Sequence, residues 1–160
     1  MKNELVTTQL KVEPAGEKDW LEILQLLEEN DLIFWFTGNE SSKNFYIAKD
    51  PKNKKIICCF AIEFENTIGI LKSFAISKEL QGKGIGKYIV NSNLERLCRQ
   101  LGIKKLYAAS IEAPQFWAKT IFQEIKRSEI KDDYFFKYLN NFSDKVINYF
   151  EKTHYFLLSI

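Results

Sequence analysis

At 160 residues, with 46% hydrophobic and 14% aromatic content, the chain can fill one core and is too apolar to be disordered. Its 23 Lys and Arg against 21 Asp and Glu leave a net charge of +2, without the basic excess of a nucleic-acid binder. No apolar signal core follows Met1-Lys2-Asn3-Glu4, and the longest apolar run, Ile56 to Ile62, is too short to span a bilayer. The expectation is a cytoplasmic protein of one domain over residues 1–160, with no membrane or nucleic-acid partner.

Residues 9–13 alternate weakly and predict an opening strand, broken by Pro14-Ala15-Gly16. Trp20, Ile23, Leu24 and Leu27 then fall at helical spacing, and that helix should end near Asn30-Asp31. The stretch Leu32-Ile33-Phe34-Trp35-Phe36 is apolar and aromatic, closed by Thr37-Gly38-Asn39. Asn44 to Lys49 predicts a strand, and the lysine-rich turn Asp50 to Lys55 is solvated. Ile56 to Phe64 is apolar on both faces and predicts a central strand, joined through Glu65-Asn66-Thr67 to a hairpin partner over Ile68 to Ser77. Neighbours Cys58 and Cys59 point to opposite faces of their strand. With Cys98 they form no C-x-x-C pair, and are expected to be buried free thiols of a reducing compartment.

From Gly86 a helix carries Ile89, Val90, Leu94, Leu97, Cys98 and Leu101 on one face, with Gly102 as its stop. A strand over Ile103 to Ser110, a helix over Ala113 to Phe122 and a strand over Phe122 to Ser128 follow. The period over 129–142 is ambiguous. Ser143 and Asp144 begin a predicted helix, and His154 to Ser159 a last strand.

The chemistry concentrates where the hairpin strand meets the helix, at Gln81-Gly82-Lys83-Gly84-Ile85-Gly86-Lys87. Glycines at every second position leave backbone N–H groups unshielded. The helix beyond them turns its positive end and free amides to the same spot, and Lys83 and Lys87 add charge. This is a phosphate cradle. It is no Walker A loop, because Gln81 and Tyr88 stand where that motif needs Gly and Ser or Thr, and it is one residue short of G-x-G-x-x-G.

The spacing fits Gln/Arg-x-x-Gly-x-Gly/Ala, and with the preceding Ser73-Phe74-Ala75-Ile76 it resembles the coenzyme-A loop and central strand of the GNAT superfamily of N-acetyltransferases. The resemblance implies an α+β fold, a mixed and mostly antiparallel central sheet flanked by helices, here with a helical C-terminal elaboration. It also implies acetyl-CoA as co-substrate and no metal. Backbone groups of Phe74, Ala75 and Ile76 would hold pantetheine, the Ile76 amide facing the thioester carbonyl. The segment from Gln81 through Gly82, Lys83, Gly84, Ile85 and Gly86 to Lys87 would hold the pyrophosphate. In that family the segment after the first helix walls the acceptor site; Phe34, Trp35 and Phe36 either serve so or belong to the core. Trp117 is a further pocket candidate.

The second half departs from the common Asn-x-x-Ala-x-x-Phe-Tyr pattern. Here it reads Ser110-Ile111-Glu112-Ala113-Pro114-Gln115-Phe116-Trp117. Ser110 replaces Asn, and Trp117 replaces the Tyr that serves as general acid, a role an indole N–H cannot take. A leaving thiol of pKa about 8.5 tolerates that loss. The arrangement is similar to the N-acetylglutamate-synthase-like branch, including acetyltransferases encoded beside arsenic-resistance genes. Glu112 is the candidate base and Ser110 its neighbour; Glu63 and Glu65 near the hairpin end are surface carboxylates by default. His154, the one histidine, rules out an H-E-x-x-H zinc site.

The expected activity is direct acetyl transfer to a small or amino-acid-like amine, by a monomer or homodimer. Alternatives are acetylation of a protein N-terminus or lysine, and a non-catalytic acyl-CoA-binding module.

Overall fold

The computed structural model describes residues 10–33, 40–111, 113–140 and 152–160. Among them the order is β1 (Val12–Pro14), α1 (Trp20–Glu29), β2 (Phe45–Lys49), β3 (Ile56–Glu65), β4 (Ile68–Ile76), α2 (Ile85–Leu101), β5 (Lys105–Ser110), α3 (Pro114–Ala118), β6 (Gln123–Ile125), α4 (Asp133–Asn140) and β7 (His154–Ser159). The described strands form one sheet in the order β1-β2-β3-β4-β5-β7-β6. β4 and β5 pair in parallel, Ile68 opposite Lys105 and Ile70 opposite Tyr107. The pairs β1/β2, β2/β3, β5/β7 and β6/β7 are antiparallel. This is the mixed, mostly antiparallel α+β sheet expected.

The chain divides into two compact units. One takes the described residues up to Ile62 together with Ser73–Ile89. In it, α1 buries Ile23, Leu26 and Leu27 at helical spacing against Phe45 and Ile47 of β2, Ile56, Cys59 and Ala61 of β3, and Ala75 of β4. Each such large aliphatic side chain taken from water contributes about 1.5–3 kcal/mol. The start of α1 is pinned by Asp19, whose carboxylate accepts the Gly16 N–H at 2.9 Å and pairs with Lys49 at 3.2 Å. Burial pushes the Asp19 pKa up, but the Gly16 N–H and Lys49 outweigh it and hold the group below its usual value.

The other unit takes Glu63–Lys72 and the described residues from Val90 onward. Its core gathers Ile70, Tyr107, Ile130, Phe135, Leu139 and Tyr155. Phe135 stacks on Tyr107 with ring centres 4.9 Å apart. The ambiguous stretch 129–142 contains α4. Phe135 and Leu139, one turn apart, are buried, while Tyr134 and Tyr138 form a second, half-buried row beside them. Two adjacent apolar rows blur a helical period. At the end of α2, Gly102 takes φ +75°, with its N–H on Arg99 O (3.3 Å) and the Ile103 N–H on Cys98 O (2.8 Å), a Schellman stop.

Four boundaries differ from expectation. The opening strand is shifted to Val12–Pro14, and β5 begins at Lys105 rather than 103. The helix expected to reach Phe122 stops at Ala118: Lys119 and Thr120 return their N–H groups to Phe116 and Trp117 at 3.1 Å, and the Thr120 hydroxyl also donates to Trp117 O at 2.7 Å. The strand expected over 122–128 keeps only Gln123–Ile125, because Arg127–Glu129 turns as a short 3-10 helix. The helix expected from Ser143 lies outside the described residues.

Candidate active site

The site begins inside β4. Ser73 sits at φ +56°, a left-handed residue within a strand. The Cys59 thiol lies 3.8 Å from its carbonyl oxygen. Beyond it, Ala75 and Ile76 are buried, while Phe74 is half-buried and stacks on Phe60 at 5.8 Å. The left-handed residue thus lies directly before Phe74, Ala75 and Ile76.

The chain then makes one 3-10 turn, Lys78–Leu80, and enters the glycine loop. Gly82 and Gly84 take φ +75° and +79°, conformations costly to side-chain-bearing residues. A Cβ on either would meet nothing within 4 Å, so the loop backbone faces open space. Gly84 O accepts the Tyr88 N–H at 3.0 Å and opens α2. The first-turn amides of Ile85, Gly86 and Lys87 thus have no intrahelical acceptor. Lys83 and Lys87 are exposed beside them. Open backbone, free amides, a helix N-terminus and two ammonium groups fit a pyrophosphate.

Gln81 does something the motif alone did not reveal. Its side-chain amide donates to Ile76 O at 3.0 Å and to Asn30 Oδ1 at 2.7 Å. Asn30 follows the last residue of α1, and its own amide donates to Leu26 O (2.9 Å) and Ile76 O (3.2 Å). Sequence reasoning missed Asn30: its partners lie 46 and 51 residues away, and nothing local marks it.

The second unit holds the remaining candidates. Ser110 ends β5, is buried, and accepts the Ala113 N–H on its hydroxyl at 3.1 Å, shaping the turn into α3. Trp117 is buried between Phe116 and Phe122, edge-to-face at 5.0 and 5.3 Å. Glu63 pairs with Lys72 at 2.7 Å, and Glu65 is exposed. His154 Nδ1 lies 2.6 Å from Glu124 Oε1. Glu112, Phe34, Trp35 and Phe36 lie outside the described residues. Among the described residues no three His, Cys, Asp or Glu side chains cluster as metal ligands, and no helix is long and apolar enough to cross a membrane.

A profile of the acetyltransferase (GNAT) family matches residues 12–124, from β1 through the glycine loop to β6. The chain belongs to the GNAT acetyltransferase family. No curated protein matches it. Among solved structures it is similar to Rv2747 from Mycobacterium tuberculosis, solved in complex with CoA: TM-score 0.71 and 20% identity over 94% of this chain and 99% of that one. N-acetylglutamate synthase from Neisseria gonorrhoeae, complexed with coenzyme A and N-acetyl-glutamate, gives 0.71 and 18% over 94% of this chain. The GNAT chain spans only 35% of that synthase. A GNAT-family acetyltransferase from Staphylococcus aureus Mu50 gives 0.64 and 13%, over 94% and 98% of the two chains. These likenesses establish the GNAT fold, and the profile match the family.

Proposed function

We propose that the chain is an acetyl-CoA-dependent N-acetyltransferase that passes the acetyl group directly to the amine of a small or amino-acid-like acceptor. The observation that carries this reading is the loop from Gln81 to Lys87, whose left-handed Gly82 and Gly84 leave open backbone at the head of α2. Its amides, with Lys83 and Lys87, would bind the pyrophosphate of the co-substrate. Backbone groups of Phe74, Ala75 and Ile76 would align the pantetheine arm. Bound acetyl-CoA supplies an activated acetyl thioester.

For the acceptor, Glu112 is the proposed base and Ser110 a polar neighbour, with Phe34 and Trp35 as pocket walls. Trp117, enclosed by Phe116 and Phe122, is a further proposed pocket residue. An α-amine, with a pKa of about 7.7–8.0, needs little help at neutral pH, whereas a lysine amine near 10.4 needs a strong base. The α-amine thus asks less of Glu112, which favours an amino-acid-like acceptor. The synthase similarity, in a protein complexed with N-acetyl-glutamate, supports the same class.

The test is free-thiol release from acetyl-CoA across amino acids, polyamines, aminoglycosides, and lysine and N-terminal peptides, with Gly84→Asp as control. Release driven by a small α-amine and lost in the control is expected. Release driven by lysine peptides alone would overturn the acceptor class. CoA binding without release would make the chain a binding module.

A further inference from the structure

We infer that Asn30 is a positioning residue for the glycine loop, acting with Gln81 through the carbonyl of Ile76. The inference rests on reading that loop as the anion cradle. Two side-chain amides converge on one backbone oxygen: Gln81 Nε2 at 3.0 Å and Asn30 Nδ2 at 3.2 Å. They also hold each other, Gln81 Nε2 on Asn30 Oδ1 at 2.7 Å. Asn30 is tied in turn to Leu26 O at 2.9 Å, so the anchor is the last turn of α1. That turn is fixed by the burial of Leu26 and Leu27.

The clamp closes around the segment that carries the chain from strand to cradle. Gln81 reaches back five residues to Ile76, across the turn in which Leu80 N bonds Ser77 O (2.9 Å) and Gln81 N bonds Lys78 O (3.3 Å). Beyond the turn the chain runs through two left-handed glycines, which supply no rigidity of their own. Fixing the Ile76 carbonyl fixes the peptide plane at which the chain leaves β4, and holding Gln81 fixes where the loop starts. An Arg at this position would also supply side-chain N–H groups, which is what the Ile76 carbonyl takes. Gln81 is thereby a positioning residue too.

The test uses Asn30→Leu and Gln81→Met, which keep size, remove donors and add no charge, their double variant, and Gln81→Arg. Ligand-free amide exchange over 77–84, CoA titration and thermal melting are read for each. Faster exchange over that segment and about tenfold weaker CoA binding are expected in both single variants, the worth of one to two hydrogen bonds. The double variant should be no weaker than the worse single one, because the two side chains act as a unit. Gln81→Arg should stay within about threefold of the native protein. If exchange and CoA affinity are unchanged in both single variants, or melting falls without either changing, the inference is wrong. It is also wrong if Gln81→Arg behaves as Gln81→Met does. A native protein that takes no CoA would overturn the reading of the loop, while the exchange arm still decides the positioning role.

Discussion

The phenol of Tyr107 donates its proton to the carboxylate of Asp132, 25 residues further along the chain. Lys105 flanks the same carboxylate at 3.6 Å. Burial, then the hydrogen bond and charge of Asp132, push the Tyr107 pKa well above its usual range. Burial raises Tyr134 and Tyr155 as well, and holds Cys59 and Cys98 at about 12. A raised folded pKa means stability that is complete below the unfolded value and is lost as pH climbs through the folded one. Stability should therefore be level near neutrality and fall from about pH 8.5 upward, where thiols and then phenols ionise only in the unfolded chain. Tyr107→Phe should cost about 1–3 kcal/mol at pH 7 by depriving Asp132 of a donor, and flatten the alkaline decline. Urea midpoints measured against pH check both.

Gly69, where β4 pairs with Leu106 of β5, has no room for a side chain. An added Cβ would stand 2.9 Å from Ile103 Cδ1 and 3.1 Å from Leu106 Cδ1. Both neighbours are buried, so neither yields freely. Gly69→Ala should destabilise the protein by about 1–3 kcal/mol through overpacking, read as a lowered melting temperature. A melting temperature equal to the native one would mean that Ile103 repacks without strain.

Gly84 presents the opposite case, with open space but a left-handed backbone. Gly84→Ala should cost about 1–2 kcal/mol of stability, since alanine disfavours that conformation. Gly84→Asp should cost less stability, because Asp visits the left-handed region more readily and its charge suits a helix N-terminus. Yet Asp should weaken CoA binding far more than Ala, since its carboxylate takes the place of the anion. Melting and CoA titration should thus rank the two variants in opposite orders. The same order in both would count against a phosphate at this loop.

What the sequence displayed well was local. The apolar run of Ile56 to Ile62 marked a central strand, and all of those residues are buried. The three glycines from Gly82 to Gly86 marked the strand-loop-helix joint, and the structure opens α2 there. His154–Ser159 is the last strand expected, paired along its length with β5 and over Tyr155 to Leu157 with β6. What escaped depended on distant partners. Asn30 reads as an ordinary helix end until Ile76 and Gln81 are folded against it. Ser73 looks like a strand residue, and its left-handed φ is a matter of backbone, not of side-chain type. The turn that shortens α3 depends on a Thr120 hydroxyl and on Asn91, whose Oδ1 accepts the Ile121 N–H at 2.9 Å from 30 residues away.

Cys58, Cys59 and Cys98 are buried free thiols. Burial comes first in raising all three: Cys58 well above its usual value, Cys59 and Cys98 to about 12. Thiolate, not thiol, is the nucleophile, so at pH 8 the folded protein should present almost none. A disulfide thiol reagent at that pH should label no cysteine within minutes, and three per chain once guanidinium unfolds it. The protein's own thiols should therefore add no background to the release of CoA thiol. Cys98 carries the most to be learned, because the charge of Glu95 also raises it. Glu95→Gln should lower the Cys98 pKa without baring the sulfur, leaving labelling of the folded chain slow. Rapid single labelling in that variant would mean that charge, rather than enclosure by the core, keeps the thiol silent.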